Sequence, residues 1–88
     1  MREGRYFEIF VHAYPWEDST AALPGTWNIE TAWNIETDYA TELKILTAVW
    51  HGADELEVYQ RLLKYRKPEE IISVKDISPS KARRMHKY

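Results

Sequence analysis

Between Trp27 and Val49 the chain alternates in character for 23 residues without a break, and this stretch carries its one internal repeat. Trp27-Asn28-Ile29-Glu30-Thr31 returns six residues later as Trp33-Asn34-Ile35-Glu36-Thr37. An offset of six is even, so on a β-strand each residue of the second copy falls on the same face as its counterpart. On a helix the same offset turns the chain by about 240° and scatters the Trp and Ile positions. Odd positions hold Trp, Ile, Thr, Tyr, Leu and Val, and even positions hold mainly Asn, Glu, Asp, Ala and Lys. Fully extended at about 3.3 Å per residue, the segment would reach about 75 Å, several times a typical strand. It is therefore expected to fold back within residues 36–41 and form a two-stranded ribbon.

The flanking segments complete an α+β outline. Residues 5–14 alternate with period two, with Phe7, Ile9, Val11 and Ala13 on one face and Tyr6, Glu8, Phe10 and His12 on the other. Pro15 ends this strand, and residues 16–23 read as a loop or a short helical turn before Leu23-Pro24-Gly25. After His51-Gly52, residues 53–67 read as a helix with Leu56, Tyr59, Leu62 and Leu63 on its inner stripe and Val58 and Tyr65 beside it. Its acids lie first and its bases last, matching the helix dipole, and Glu57 and Arg61 are spaced to pair. Pro68 is expected to stop it. Ile71 to Ile77 reads as a last strand, joined to the ribbon by a β-α-β crossover and parallel to its second strand. Ser78-Pro79 then opens a short basic helix or tail. The expected architecture is a small mixed sheet, β-β-β-α-β, with one main helix on one face. Residues 1–78 would be a single α+β domain, and residues 79–88 its basic tail.

Eighty-eight residues suffice for one modest core. A 30% charged composition and a mean hydropathy of −0.58 suit a folded soluble chain, and no apolar run approaches the roughly 20 residues of a membrane helix. No cysteine is present, which excludes thiol chemistry and favours a reducing compartment; with no apolar leader at the N-terminus, a cytoplasmic location is expected.

Motifs for catalysis are missing from the sequence. Gly4, Gly25 and Gly52 are isolated rather than clustered for phosphate binding, and His12, His51 and His86 lack metal-ligand spacing. Only Glu8 with His12 suggests an acid-base pair, against a polar contact on a half-exposed strand. Tyr6, Phe10 and Tyr14 form a possible stacking row for bases, against ordinary core packing. No enzyme activity, metal or cofactor is expected.

Charge is segregated along the chain. Residues 6–43 contain seven acids and no Lys or Arg, whereas residues 44–88 contain ten bases and six acids. If the alternation holds through the ribbon, Glu30, Glu36, Asp38 and Glu42 line one face, opposite Trp27 and Trp33. The resulting expectation is a binding protein whose acidic ribbon docks on a basic groove of a protein partner, as an inhibitor that mimics nucleic acid would, with Trp27 and Trp33 in the contact. Phage-encoded inhibitors of host nucleases or defence complexes are proteins of this type. The alternative is a nucleic-acid-binding module using Lys64, Arg66, Lys67, Lys81, Arg83, Arg84 and Lys87. Because the ribbon outreaches one helix, a homodimer or a covering partner is also expected.

Overall fold

The computed structural model describes residues 5–34 and 41–82, and these form a four-stranded antiparallel sheet in the order β2-β3-β1-β4. The strands are β1 (Arg5–Ala13), β2 (Asn28–Asn34), β3 (Thr41–Gly52) and β4 (Ile71–Ile77). Three short helices intervene: α1 (Ser19–Ala22), α2 (Glu55–Leu62) and α3 (Pro79–Ala82), with a 3-10 turn (Pro68–Glu70) ahead of β4. None is long and apolar enough to cross a membrane.

The α+β class stands, but the sheet is not mixed. β3 and β4 do run in the same direction, as the crossover requires. They are not neighbours, however, because β1 lies between them and pairs antiparallel with both. The alternation of β1 explains why it takes the centre. Phe7, Ile9, Val11 and Ala13 are buried at 0–2% exposure on one face, and Glu8 is buried at 9% on the other. A strand that is apolar on one side and shielded on both is best satisfied with a partner along each edge.

On the first face, Val58 and Leu62 of α2 close over Phe7, Ile9, Val11, Leu46, Ala48 and Trp50, with Ala22 and Leu23 from the α1 segment completing the core. Burying each large side chain contributes about 1.5–3 kcal/mol. The opposite face is not bare. Ala82 of α3 packs there with Val49, Ile77 and Tyr6, so the start of the expected basic tail is docked on the sheet. Its entry follows the sequence signal, since Ser78 Oγ accepts from Lys81 N at 3.2 Å ahead of Pro79.

The helix of the crossover is shorter than expected and turned differently. Asp54 caps it by accepting from Glu57 N at 2.8 Å, and the Glu57–Arg61 pair is present at 3.8 Å. It ends at Leu62 rather than at Pro68. Lys67 must be extended ahead of the proline (φ −75°, ψ 155°), so the preceding residues unwind into turns. The buried stripe is Val58 and Leu62; Leu56 is 64% exposed and Leu63 41%. Val58, read from sequence as a flanking position, is thus the central knob. It seats against Gly52, where a methyl group would collide with Val58 Cγ2. Gly52→Ala should therefore cost about 1–3 kcal/mol through overpacking, read as a lower urea midpoint at an unchanged m-value. An equal midpoint would show that the helix shifts freely.

The ribbon is present as β2 and β3, and the reversal between them falls outside the described residues. Its faces differ from the expected ones. The pairing runs from Asn28↔Thr47 to Asn34↔Thr41, so each odd residue of β2 is matched to an even residue of β3. Ile29 and Trp33 therefore share a face with Leu46 and Glu42, while Glu30 shares the reverse face with Ile45. The expected one-sided array of Glu30 and Glu42 opposite the tryptophans is corrected on this point. An even number of residues between paired positions exchanges odd and even faces, and the unbroken alternation in the sequence conceals that exchange.

Candidate functional site

The outer strand of the ribbon keeps a row of large side chains in solvent, although its partner strand β3 carries the core residues Leu46, Ala48 and Trp50. Ile29 is 55% exposed, Trp33 61% and Trp27 43%, whereas the core positions on the same sheet face are at 0–2%. Trp27 precedes β2 and is held by its own N–H, which donates to Thr47 O at 2.9 Å. Glu42 lies directly across from Trp33 and is exposed. Glu30, on the reverse face, is exposed and accepts weakly from Asn28 Nδ2 at 3.5 Å. Glu36 and Asp38 lie outside the described residues. The ribbon thus presents apolar anchors with one carboxylate beside them and another behind.

The remaining acids of the first half are engaged by the bases of the second, so segregation along the chain does not become segregation in space. Glu17 forms a two-pronged pair with Arg66, at 2.6 Å to Nη2 and 3.2 Å to Nη1. Glu70 adds a 3.0 Å bond to the same guanidinium, and the His12 and Tyr65 carbonyls accept from it at 3.2 and 2.8 Å. The Arg66 side chain is 9% exposed. Hydrogen bonding from Arg66, with help from Tyr14 N–H, holds the Glu17 carboxyl below its ordinary range. Lys44 reaches the Glu17 carbonyl and Ser19 Oγ, and Asp18 is taken up as the α1 cap, accepting from Thr20 and Ala21.

Glu8 does not meet His12. Four residues along a strand separate them by about 13 Å. The Glu8 carboxylate lies 3.7 Å from Lys81 of α3 instead. Among the described residues no cluster of three or more His, Asp or Glu side chains is arranged to hold a metal ion.

Of the seven bases in the nucleic-acid alternative, Lys64 and Lys67 are exposed on the turns after α2, Arg66 is buried in its ion pairs and Lys81 faces Glu8. Arg83, Arg84 and Lys87 lie outside the described residues. Tyr6 and Phe10 are half-buried, so the expected row of bases-stacking aromatics is not open along β1. The last member of that row, Tyr14, is instead stacked on Trp16, which the strand alternation does not point to. Tyr14 and Trp16 stack across Pro15 with ring centroids 4.7 Å apart and planes 5° from parallel, and Trp16 is 78% exposed. A second feature missed from sequence is an open apolar groove between α2 and β4, lined by Leu56, Tyr59, Pro68, Ile71, Ile72 and Val74. Leu56 and Tyr59 read in the sequence as core positions of the helix, which conceals the groove.

Comparison with protein-family models, with curated proteins and with solved structures returns no significant match, so the surface is interpreted from its own chemistry.

Proposed function

We propose that this chain is a non-catalytic protein-binding module that docks through the outer face of the β2–β3 ribbon. The observation that carries this reading is the pair Ile29 and Trp33, more than half exposed on a regular strand while the core positions on the same sheet face are at 0–2%. Large apolar side chains clustered on a rigid element are the usual anchors of an interface, and carboxylates beside them select a basic rim on the partner. Glu42 supplies that charge on the anchor face. The occupant is then a protein surface with an apolar pocket bordered by Lys or Arg. Mimicry of a nucleic-acid strand is not part of this proposal, because the register puts Glu30 and Glu42 on opposite faces.

The test compares proteins cross-linked to the wild-type chain in cells with those cross-linked to Ile29→Ala/Trp33→Ala. Both positions are exposed, so the double variant should keep the wild-type melting temperature while losing the specific partner, with affinity down at least a hundredfold. Glu42→Gln should slow association several-fold at low salt and not at high salt. A partner retained by the double variant refutes the reading.

A second reading rests on the Tyr14–Trp16 stack, whose Tyr14 lines a surface depression together with Lys64 and Lys67 and with Glu17, Glu69 and Glu70. Exposed aromatics beside cations suit single-stranded nucleic acid, with stacking worth about 1–3 kcal/mol per base. Quenching of Trp16 by an oligonucleotide, weakened by salt and lost in Trp16→Ala, would favour this reading over the first.

A further inference from the structure

We propose that the free edge of β2 pairs with β2 of a second copy of this chain, antiparallel and centred on Thr31, joining two four-stranded sheets into one of eight. The inference concerns the same ribbon as the reading above and adds to it that the docking face is doubled about a two-fold axis.

The sheet has two outer strands, and only one is guarded. β4 carries Lys75 and Asp76, its register shifts opposite Phe10 and Val11, and it is flanked by α2 and the 3-10 turn. Charges, bulges and covering elements are the devices that keep an edge from pairing. β2 has one charge and no bulge. It pairs with β3 in unbroken register over seven residues, its single charge is Glu30, and among the described residues no strand pairs with its other edge.

Chemistry selects the partner and the register. Two copies related by a two-fold axis normal to the sheet place odd residues opposite odd ones and keep both faces continuous. Centred on Glu30, the pairing sets two carboxylates directly opposite each other, which is repulsive. Centred on Ala32, it matches Trp33 with Thr31. Centred on Thr31, it matches Ile29 of each copy with Trp33 of the other, Thr31 with Thr31, and Glu30 with Ala32. Aromatic–β-branched and Thr–Thr matches are favourable cross-strand pairs, and the like-charge contact is avoided. This self-complementarity comes from the repeat: with Trp and Ile recurring every six residues, an antiparallel copy finds an Ile opposite Trp. The same pairing would set the two exposed apolar anchors of each copy side by side on one continuous face and satisfy the backbone groups along the edge.

The chain has no cysteine, so single thiols report the register cleanly. An interface of this size is in the weak, reversible class, and sedimentation equilibrium of the wild type should extend to about 0.5 mM. The expected mass there is about twice the 10.5 kDa of the chain, falling to the monomer on dilution. Thr31→Cys should oxidise to a disulfide dimer, because its two Cα atoms would lie within the roughly 4.4–6.8 Å that a disulfide spans. Glu30→Cys, displaced by two places from its own copy, should cross-link at least tenfold more slowly. Thr31→Glu, which sets like charges opposite on an exposed edge, should be monomeric at 0.5 mM with an unchanged far-UV spectrum and melting temperature. A wild-type monomer at 0.5 mM, a dimer unaffected by Thr31→Glu, or faster cross-linking through Glu30→Cys each overturns the proposal. None of these measurements contains another protein, so they fail or succeed independently of the partner reading.

Discussion

Trp50→Ala should abolish the cooperative thermal transition of this domain at 37 °C, the largest stability effect expected of any single substitution here. Trp50 is fully buried, and polar and ring contacts hold it in addition to the core. Its indole N–H donates to Pro24 O at 2.7 Å, Arg61 stacks over the ring at 5.0 Å and Tyr65 meets it edge-on at 6.0 Å. Truncating a buried aromatic costs about 3–5 kcal/mol, from lost transfer energy and the cavity left behind. A domain of this length has a total stability of about 5–10 kcal/mol, so the loss approaches half or more of it. Trp50→Phe separates the causes. It keeps most of the volume but leaves Pro24 O without its donor, and should cost about 1–2 kcal/mol. If both variants melt within a few degrees of the wild type, Trp50 is not the keystone that its burial implies.

Much of this core was legible in the sequence, for a definite reason. Phe7, Ile9, Val11 and Ala13 alternate on a single strand, and one strand cannot disguise which residues share a face. The same rule misleads across the ribbon. Trp27 to Val49 alternates as if continuous, but faces in a hairpin are set by how many residues lie between paired positions, and the pattern does not record that number. Glu30 and Glu42 were therefore placed together when pairing separates them. The helix shows a related limit. Leu56 and Val58 are two residues apart, and either fits a helical stripe. Only Gly52, at the end of the previous strand, creates the hollow that selects Val58. The interposition of β1 between β3 and β4 is of the same kind. The crossover fixes that the two strands are parallel but not what enters between them. The exposed ribbon, by contrast, was readable because no other segment is long enough to cover it.

The Glu17–Arg66 pair, 49 positions apart, left no local signal at all, and it gives the second large effect. Arg66 is almost fully enclosed and ties the loop after β1 to the turns after α2 and to Glu70, so removing Glu17 takes two of the five acceptors from a desolvated cation and leaves Glu70 as its remaining carboxylate. Breaking a buried pair from one side costs about 3–5 kcal/mol. Glu17 retains some solvent contact, at 24% exposure, so Glu17→Gln should cost somewhat less, about 2–3 kcal/mol at pH 7. The pH dependence identifies the cause. Arg66 holds the Glu17 carboxyl below its unfolded value, so the folded state favours the ionised form. The contribution is complete above the ordinary carboxylate range near 4.3 and is lost as the pH falls through the depressed folded value. Wild type and Glu17→Gln should therefore differ most in urea midpoint at pH 6–8 and converge in acid, as the pH falls through the depressed folded value and the wild-type carboxyl becomes neutral. A gap that persists unchanged into acid would mean that shape, and not charge, is what Glu17 contributes. Ile29→Ala/Trp33→Ala should show no such pH-dependent gap, because neither side chain ionises and both are more than half exposed.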